Sequence, residues 1–129
     1  SILEGIPLAL PSLLKAYKIQ SRVAKVGFDW DNVDGVIDKI KEELKEVQEA
    51  IKIGEKIKIE EEIGDLLFSL VNLARFLRID PETALRKTNR KFEKRFKRLE
   101  KLAQQKGKSL KDMTLSEMDS LWEEIKNSE

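Results

Sequence analysis

Apolar residues recur along this chain with the spacing of helices, and no segment alternates long enough to predict a strand. The clearest apolar stripe lies between about Val33 and Ile53 and returns every three or four residues: Val33, Val36, Ile37, Ile40, Leu44, Val47 and Ile51. A further helix is predicted from about Ile59 to Leu77, and after Asp65 it is apolar on nearly all sides. Such a helix is either central or part of a subunit interface, and here we expect both, hence an oligomer.

Capping residues, proline and glycine mark where the other helices begin and end. Pro11-Ser12 opens a first helix that runs to about Lys25, and residues 27–32 form a loop that ends in helix-capping residues. Gly54 ends the helix that follows this loop. The sequence thus predicts short connections between helices.

Two further helices are predicted in the C-terminal part of the chain. Asp80-Pro81 caps a helix that runs to about Gln105, with the stripe Leu85, Phe92, Phe96 and Leu99, and Gly107 stops it. A short helix follows Leu115 and carries Met118, Leu121, Trp122 and Ile125. We predict an all-α fold with residues 1–129 as a single domain. It is an antiparallel helical bundle of about four main helices plus a short C-terminal helix, completed by oligomerisation.

Composition narrows the chemistry. Histidine and cysteine are both absent, which removes the usual neutral general base and the common zinc ligands. Any metal ion must be held by oxygen. No run approaches the roughly 20 apolar residues of a membrane helix, and no secretory signal is visible, so we expect a cytoplasmic protein without a membrane partner. The chain starts at Ser1 without Met and soon becomes apolar, which is compatible with one half of a longer protein.

Acidic residues on the two central predicted helices can be sorted by rotation, because each residue turns about 100° around a helix axis. Glu43 lies about 70° and Glu46 about 130° from the centre of the first stripe, while Glu42 points to solvent. On the next helix, Glu62 lies about 85° and Asp65 about 145° from the stripe centre, on the same rotational side. Glu61 points away from this edge.

A short connection at Gly54 makes the two helices antiparallel, which places same-sided flanks on one edge. Glu46 then comes level with Glu62, and Glu43 with Asp65. Four converging carboxylates repel one another unless a cation neutralises them, and oxygen ligands without His or Cys suit Mg²⁺, with Mn²⁺ as a substitute. In the alternative interpretation, the acidic residues pair with lysines on solvated faces: Lys39, Lys41, Lys45 and Lys58. A di-iron bundle would need Glu-x-x-His, and His is absent.

The fourth predicted helix is basic. Its cations are Arg86, Lys87, Arg90, Lys91, Lys94, Arg95, Lys97 and Arg98. Lys91 and Arg95 share one face beside the Phe92/Phe96 stripe, where they could bind phosphate. A solvated cationic face and a nucleic-acid surface are the alternatives. We expect nucleic acid to be an unlikely partner.

Four segments in order resemble the all-α nucleoside triphosphate pyrophosphohydrolases of MazG type, with the greatest similarity to the C-terminal half of two-domain bacterial MazG. These are Gly5-Ile6-Pro7 through Leu14, Gly27-Phe28-Asp29-Trp30, Glu42-Glu43-Leu44-Lys45-Glu46 with Glu62-Ile63-Gly64-Asp65, and Asn89-Arg90-Lys91-Phe92-Glu93-Lys94-Arg95-Phe96. The resemblance covers nearly the whole chain.

The resemblance implies cleavage of a nucleoside triphosphate between its α- and β-phosphates, in the service of nucleotide-pool control. It implies Mg²⁺ ligation by Glu43, Glu46, Glu62 and Asp65, and these residues form the catalytic set together with Lys91 and Arg95. It further implies that Lys39, Lys58, Lys91, Arg95 and Trp122 bind the substrate, although Trp122 could equally be a core residue, and Trp30 shares this ambiguity. A homodimer or higher homo-oligomer is expected. The alternatives are a pyrophosphohydrolase with a narrow substrate and a non-catalytic helical oligomer that binds nucleic acid or protein.

Overall fold

The computed structural model describes all residues from Ser1 to Glu129 and contains no β-strand. Its five α-helices are α1 (Ser12–Lys25), α2 (Val33–Ile53), α3 (Lys56–Phe76), α4 (Pro81–Gln105) and α5 (Leu115–Asn127), with a 3-10 turn at Leu110–Asp112. The predicted all-α fold is confirmed. None of these helices combines the length and the apolar character that a bilayer crossing requires.

The helix ends follow the capping residues that the sequence indicated. The Asn32 side chain accepts a hydrogen bond from the Gly35 N–H at 3.3 Å and caps α2. Gly54 ends α2 in the left-handed conformation, at φ 83°, which glycine adopts without steric cost. α3 begins at Lys56, three residues before the predicted start at Ile59, because the chain reverses within Gly54 and Glu55 alone.

The chain divides into two compact units, Ser1–Ala84 and Leu85–Glu129. In the N-terminal unit, α3 packs against both α1 and α2, so its predicted central position holds within this unit. The buried apolar residues of this unit are Val36, Val47, Ala50 and Val71. Much of the apolar surface of α3 nevertheless remains open, because Ile63, Leu67 and Leu70 are each at least 43% exposed. The predicted oligomerisation, which would cover such surface, stays a prediction.

The C-terminal unit has its own small core, formed by Leu99, Ala103, Met113, Leu121 and Ile125. Thr114 and Glu117 form a capping box at the start of α5, in which each side chain bonds the backbone N–H of the other residue. In the predicted stripe of α4, only Leu99 is buried, whereas Leu85, Phe92 and Phe96 are between 36% and 55% exposed. The chain thus forms two compact units, and the prediction that residues 1–129 are a single domain stays a prediction.

Candidate active site

The tight reversal between α2 and α3 positions the candidate carboxylates. Gly54 donates its N–H to the Ala50 carbonyl at 3.0 Å, and α3 starts two residues later. A connection this short makes the two helices antiparallel neighbours, so flanks on the same rotational side meet at one edge. The acidic residues of both helices therefore face each other across this edge.

Three of the four predicted metal ligands converge there. One carboxylate oxygen from each of Glu43, Glu62 and Asp65 lies within 4.8 Å of the other two. The Glu43 and Glu62 side chains are only 12% and 8% exposed, whereas Glu42 and Glu61 are both 62% exposed. The sorting of adjacent glutamates by helical rotation is thus confirmed on both helices.

Glu46 is not a member of this group of three. It is exposed on α2, one turn after Glu43, and its charge raises the pKa of Lys58 as the smallest of several contributions. Its predicted rotation of about 130° from the apolar stripe carries it further around the axis than Glu43. Its role as a metal ligand stays a prediction.

Each of the two less exposed glutamates has a lysine one turn before it. Lys39 Nζ lies 3.1 Å from Glu43 Oε1, and Lys58 Nζ lies 2.9 Å from Glu62 Oε1. These hydrogen bonds are the main reason why the pKa values of both lysines are raised. Two of the four lysines of the alternative interpretation thus form ion pairs with cluster glutamates, and the Glu43 and Glu62 carboxylates of these pairs are largely withdrawn from solvent.

Asp65 shows the electrostatic consequence of this crowding. Partial loss of hydration, followed by repulsion from Glu43 and Glu62, raises the pKa of the Asp65 carboxyl. A cation among these oxygens would relieve the repulsion.

The donor set fits Mg²⁺. Octahedral coordination at about 2.0–2.1 Å spaces ligand oxygens roughly 3 to 4 Å apart. The three carboxylate oxygens, within 4.8 Å of one another, need only small side-chain rotations to reach this spacing. Glu43, Glu62 and Asp65 would hold the ion.

The basic face of α4 belongs to the C-terminal unit. The Arg95 guanidinium donates to the Glu129 carboxylate from Nε and Nη2 at 2.9 and 2.8 Å. Arg98 Nη1 lies 3.5 Å from the same carboxylate, and the pKa of Glu129 is lowered, chiefly by the hydrogen bond from Arg95 and least by the charge of Lys91. Cations of this helix thus surround an oxyanion, as a phosphate site requires, but the anion here is a side chain.

Trp122 is half-buried on α5. Its ring meets that of Phe92 with centroids 5.2 Å apart, and it packs against the core of the C-terminal unit. These contacts favour the core-tryptophan interpretation, and its predicted substrate contact stays a prediction.

A cleft in the N-terminal unit brings Trp30, whose role the sequence left open, together with three functional candidates that were not predicted from the sequence. Its lining includes Gln20 from α1, Trp30 from the loop, and Asn72 and Arg75 from α3. A signal for Gln20 was present, since it is a lone amide among apolar residues on one face of α1, at the spacing of Leu13, Ala16 and Tyr17. Asn72 and Arg75 lie one and two turns beyond Phe68 but carry no spacing signal of their own.

Comparison with known proteins gives consistent matches. The sequence model of the MazG nucleotide pyrophosphohydrolase domain matches residues 32–99. The chain is 48% identical, over 120 residues, to the nucleoside triphosphate pyrophosphohydrolase/pyrophosphatase MazG of Thermotoga maritima, covering 93% of this chain and 46% of that protein. It is 44% identical, over 131 aligned residues, to the nucleoside triphosphate pyrophosphohydrolase of Escherichia coli strain K12, covering 100% of this chain and 50% of that protein. The chain thus spans about half the length of these curated relatives.

Proposed function

Because the chain belongs to the MazG nucleotide pyrophosphohydrolase family, we propose that it hydrolyses nucleoside triphosphates between the α- and β-phosphates, releasing the nucleoside monophosphate and pyrophosphate. The observation that carries this proposal is the convergence of Glu43, Glu62 and Asp65 from two antiparallel helices. Three clustered carboxylates without His or Cys are suited to a magnesium ion and, through it, to a phosphate substrate. A role in nucleotide-pool control is part of the proposal.

The chemistry divides between the ion and the side chains. When bound, Mg²⁺ supplies charge neutralisation at the phosphate oxygens and acidifies a water molecule. Glu43, Glu62 and Asp65 would hold the ion, with Glu46 as the proposed fourth ligand. A carboxylate of this edge takes the proton of the attacking water.

Lys39 and Lys58 complete the electrostatics of this edge. Both ammonium groups pair with glutamates of the cluster, at 3.1 and 2.9 Å. Their ammonium groups stand at the edge where we propose that the triphosphate binds, and they would contact its phosphate oxygens. Lys91, Arg95 and Trp122 are the further substrate contacts that we propose, each on the C-terminal unit.

Product analysis tests the proposal directly. The protein is incubated with each common nucleoside triphosphate and Mg²⁺, and ³¹P NMR identifies the phosphorus products. Monophosphate and pyrophosphate are expected, whereas diphosphate and orthophosphate would contradict cleavage at the α–β bond. Glu62→Gln should abolish release, and Glu61→Gln is the matched control on the exposed side of the same helix.

A narrow-substrate pyrophosphohydrolase is the second candidate. The same panel decides it, because a general enzyme turns over all bases within about tenfold, whereas a selective one concentrates its activity on one base.

A further inference from the structure

The cleft in the N-terminal unit has the dimensions of a small-molecule site. Its volume is about 460 Å³, within the roughly 300–1,000 Å³ typical of ligand pockets. Apolar and aromatic side chains dominate its lining, among them Val23, Phe28, Trp30 and Phe68. Phe28 is 79% and Trp30 is 43% exposed, so two aromatic surfaces stand open at this cleft. Such a cleft suits a flat, weakly polar ring system.

The cleft lies on the carboxylate-bearing face of α3. Asp65, Phe68 and Asn72 follow one another at i, i+3 and i+7, which places all three within about 60° of one another around the helix axis. Along the axis, Phe68 is about 4.5 Å and Asn72 about 10 Å beyond Asp65. These distances from Asp65 are comparable to the distance between the α-phosphate and the base of a nucleotide, which the sugar separates.

The indole of Trp30 packs against α2 at Gly35, where there is no side chain to keep it away. A Cβ at Gly35 would lie 2.8 Å from Trp30 Cε3, a distance that real Cβ atoms do not tolerate. The indole therefore rests directly on the backbone of α2. A ring fixed in this way offers a pre-organised stacking surface, because little side-chain freedom is lost when a ligand binds.

The polar groups of the cleft have defined orientations. Arg75 donates from Nε to Asn72 Oδ1 at 2.9 Å and from Nη1 and Nη2 to Asp29 at 3.1 and 2.6 Å. Since Asn72 Oδ1 accepts from Arg75, its Nδ2 is left as the donor for a ligand. The Asp29–Arg75 pair thus fixes the amide on which we expect a ligand to depend.

Gln20 adds a buried acceptor. It is 4% exposed, its Nε2 donates to the Phe68 carbonyl at 2.8 Å, and its Oε1 has no hydrogen-bond partner. The Phe68 contact fixes the amide orientation, because a carbonyl can only accept. Buried polar atoms are rarely left unpaired, so this oxygen marks a place where a donor is missing.

We propose that this cleft binds the nucleobase of the nucleoside triphosphate, which stacks on Trp30 and accepts a hydrogen bond from Asn72 Nδ2. The assignment rests on the proposed function, because it takes the carboxylate cluster as the site of the triphosphate. A nucleobase satisfies both features of the cleft, since it has a flat aromatic face and an edge that combines acceptors with donors.

Steady-state kinetics tests the assignment by comparing ligands that carry a base, the nucleoside triphosphates, with one that has none, tripolyphosphate. Trp30→Ala should raise KM for nucleoside triphosphates by about tenfold or more, since a stacked base is lost. Tripolyphosphate has no base, so it should inhibit the Trp30→Ala variant as strongly as it inhibits wild type. Gly35→Ala should raise KM in the same direction by displacing the indole, and Asn72→Ala should alter the ranking of the bases. Leu115→Ala, at an exposed apolar position of the C-terminal unit, is the matched control.

The results separate the two proposals. If wild type releases pyrophosphate while Trp30→Ala keeps the KM of every nucleotide, the base assignment is overturned and the proposed function stands. Fluorescence gives an independent measurement, because the difference between the emission of wild type and that of Trp30→Ala isolates the Trp30 signal. Nucleoside monophosphates should quench it saturably and pyrophosphate should not; this result would support the cleft even if no nucleotide were hydrolysed. If Trp30→Ala instead dissociates an oligomer, with KM unchanged, the cleft is an interface between copies and the assignment is wrong.

Discussion

Arg95 holds the Glu129 carboxylate with its Nε and Nη2 atoms, at 2.9 and 2.8 Å, across 34 residues of sequence. The pair is partly exposed, with side-chain exposures of 20% and 36%. The guanidinium that we expect to bind phosphate thus already has an anionic partner in the absence of substrate. A phosphate group must compete with Glu129 for the same donors.

Loss of the Glu129 charge should therefore strengthen substrate binding, whereas loss of the Arg95 guanidinium should weaken it. Glu129→Gln should lower KM, because the competing charge is lost. Arg95→Ala should reduce kcat/KM by roughly 30- to 1000-fold, because a charge-assisted contact to phosphate is lost. Lys91→Ala should share this loss, while Lys87→Ala and Lys94→Ala should do little. Equal small losses at all four positions, with a steep salt dependence of nucleic-acid binding, would instead identify a nucleic-acid surface.

The adjacent glutamates of α2 provide a controlled test of the carboxylate cluster. Glu43→Gln should lower kcat by orders of magnitude, because its 12% exposed carboxylate lies among the proposed ligands. Glu42→Gln keeps the same helix and the same change in charge, but its side chain is 62% exposed and should matter little. Both rates are measured as pyrophosphate release at saturating Mg²⁺. A severe loss at Glu42 would show that the assignment of the two positions is wrong.

Features that depend on residues close together in the sequence could be predicted. Gly54, Asn32 and Asp80-Pro81 act on their own neighbours, so the helix ends could be predicted from short motifs. The exposed position of Glu42 and the enclosed position of Glu43 follow from the turn per residue.

Contacts between distant residues could not be predicted in this way. Gln20 meets Phe68 across 48 positions, and Asp29 meets Arg75 across 46. Neither pair has a periodicity that links its members, because the packing of α1 and of the loop after it against α3 decides which side chains meet. The same holds for Glu129 and Arg95.

Metal binding should stabilise the folded protein as well as activate it. Ligand bound only to the native state adds about 2.7 kcal/mol at a concentration of 100 Kd, so Mg²⁺ or Mn²⁺ should raise Tm by several degrees. Activity should vanish in excess chelator and return when metal is restored. Glu62→Gln should lose the metal-dependent rise in Tm, and Glu61→Gln should keep it. Full turnover in excess EDTA would contradict the metal centre.

Exposed apolar residues on α2 and α3 predict self-association. Leu44, Ile51, Leu67 and Leu70 are 43–58% exposed and lie on helices whose other faces are packed. We expect at least a dimer at micromolar concentration. Sedimentation velocity checks this, and Leu67→Glu should shift the protein towards lower mass. A stable species near the chain mass of 14.9 kDa in the wild type would be contrary to this expectation.

The capping box of α5 should make the stability of the C-terminal unit depend on pH. Lys108 Nζ lies 2.7 Å from Glu117 Oε2, and this hydrogen bond, with those to Thr114, lowers the pKa of Glu117 below its ordinary value of 4.5. A carboxyl whose folded pKa is lowered contributes stability at pH values above its unfolded pKa. That contribution is lost as pH falls through the folded value.

Glu117→Gln isolates this effect, because glutamine can still bond the Thr114 N–H but carries no charge. The Tm of wild type should exceed that of Glu117→Gln near neutral pH, and the difference should shrink as pH falls below about 4. Thermal unfolding followed by circular dichroism across this range provides the comparison, and Lys108→Met should abolish most of the difference. If the gap between wild type and Glu117→Gln instead stays constant from pH 7 to pH 3, the charge of Glu117 has no part in the stability of this unit.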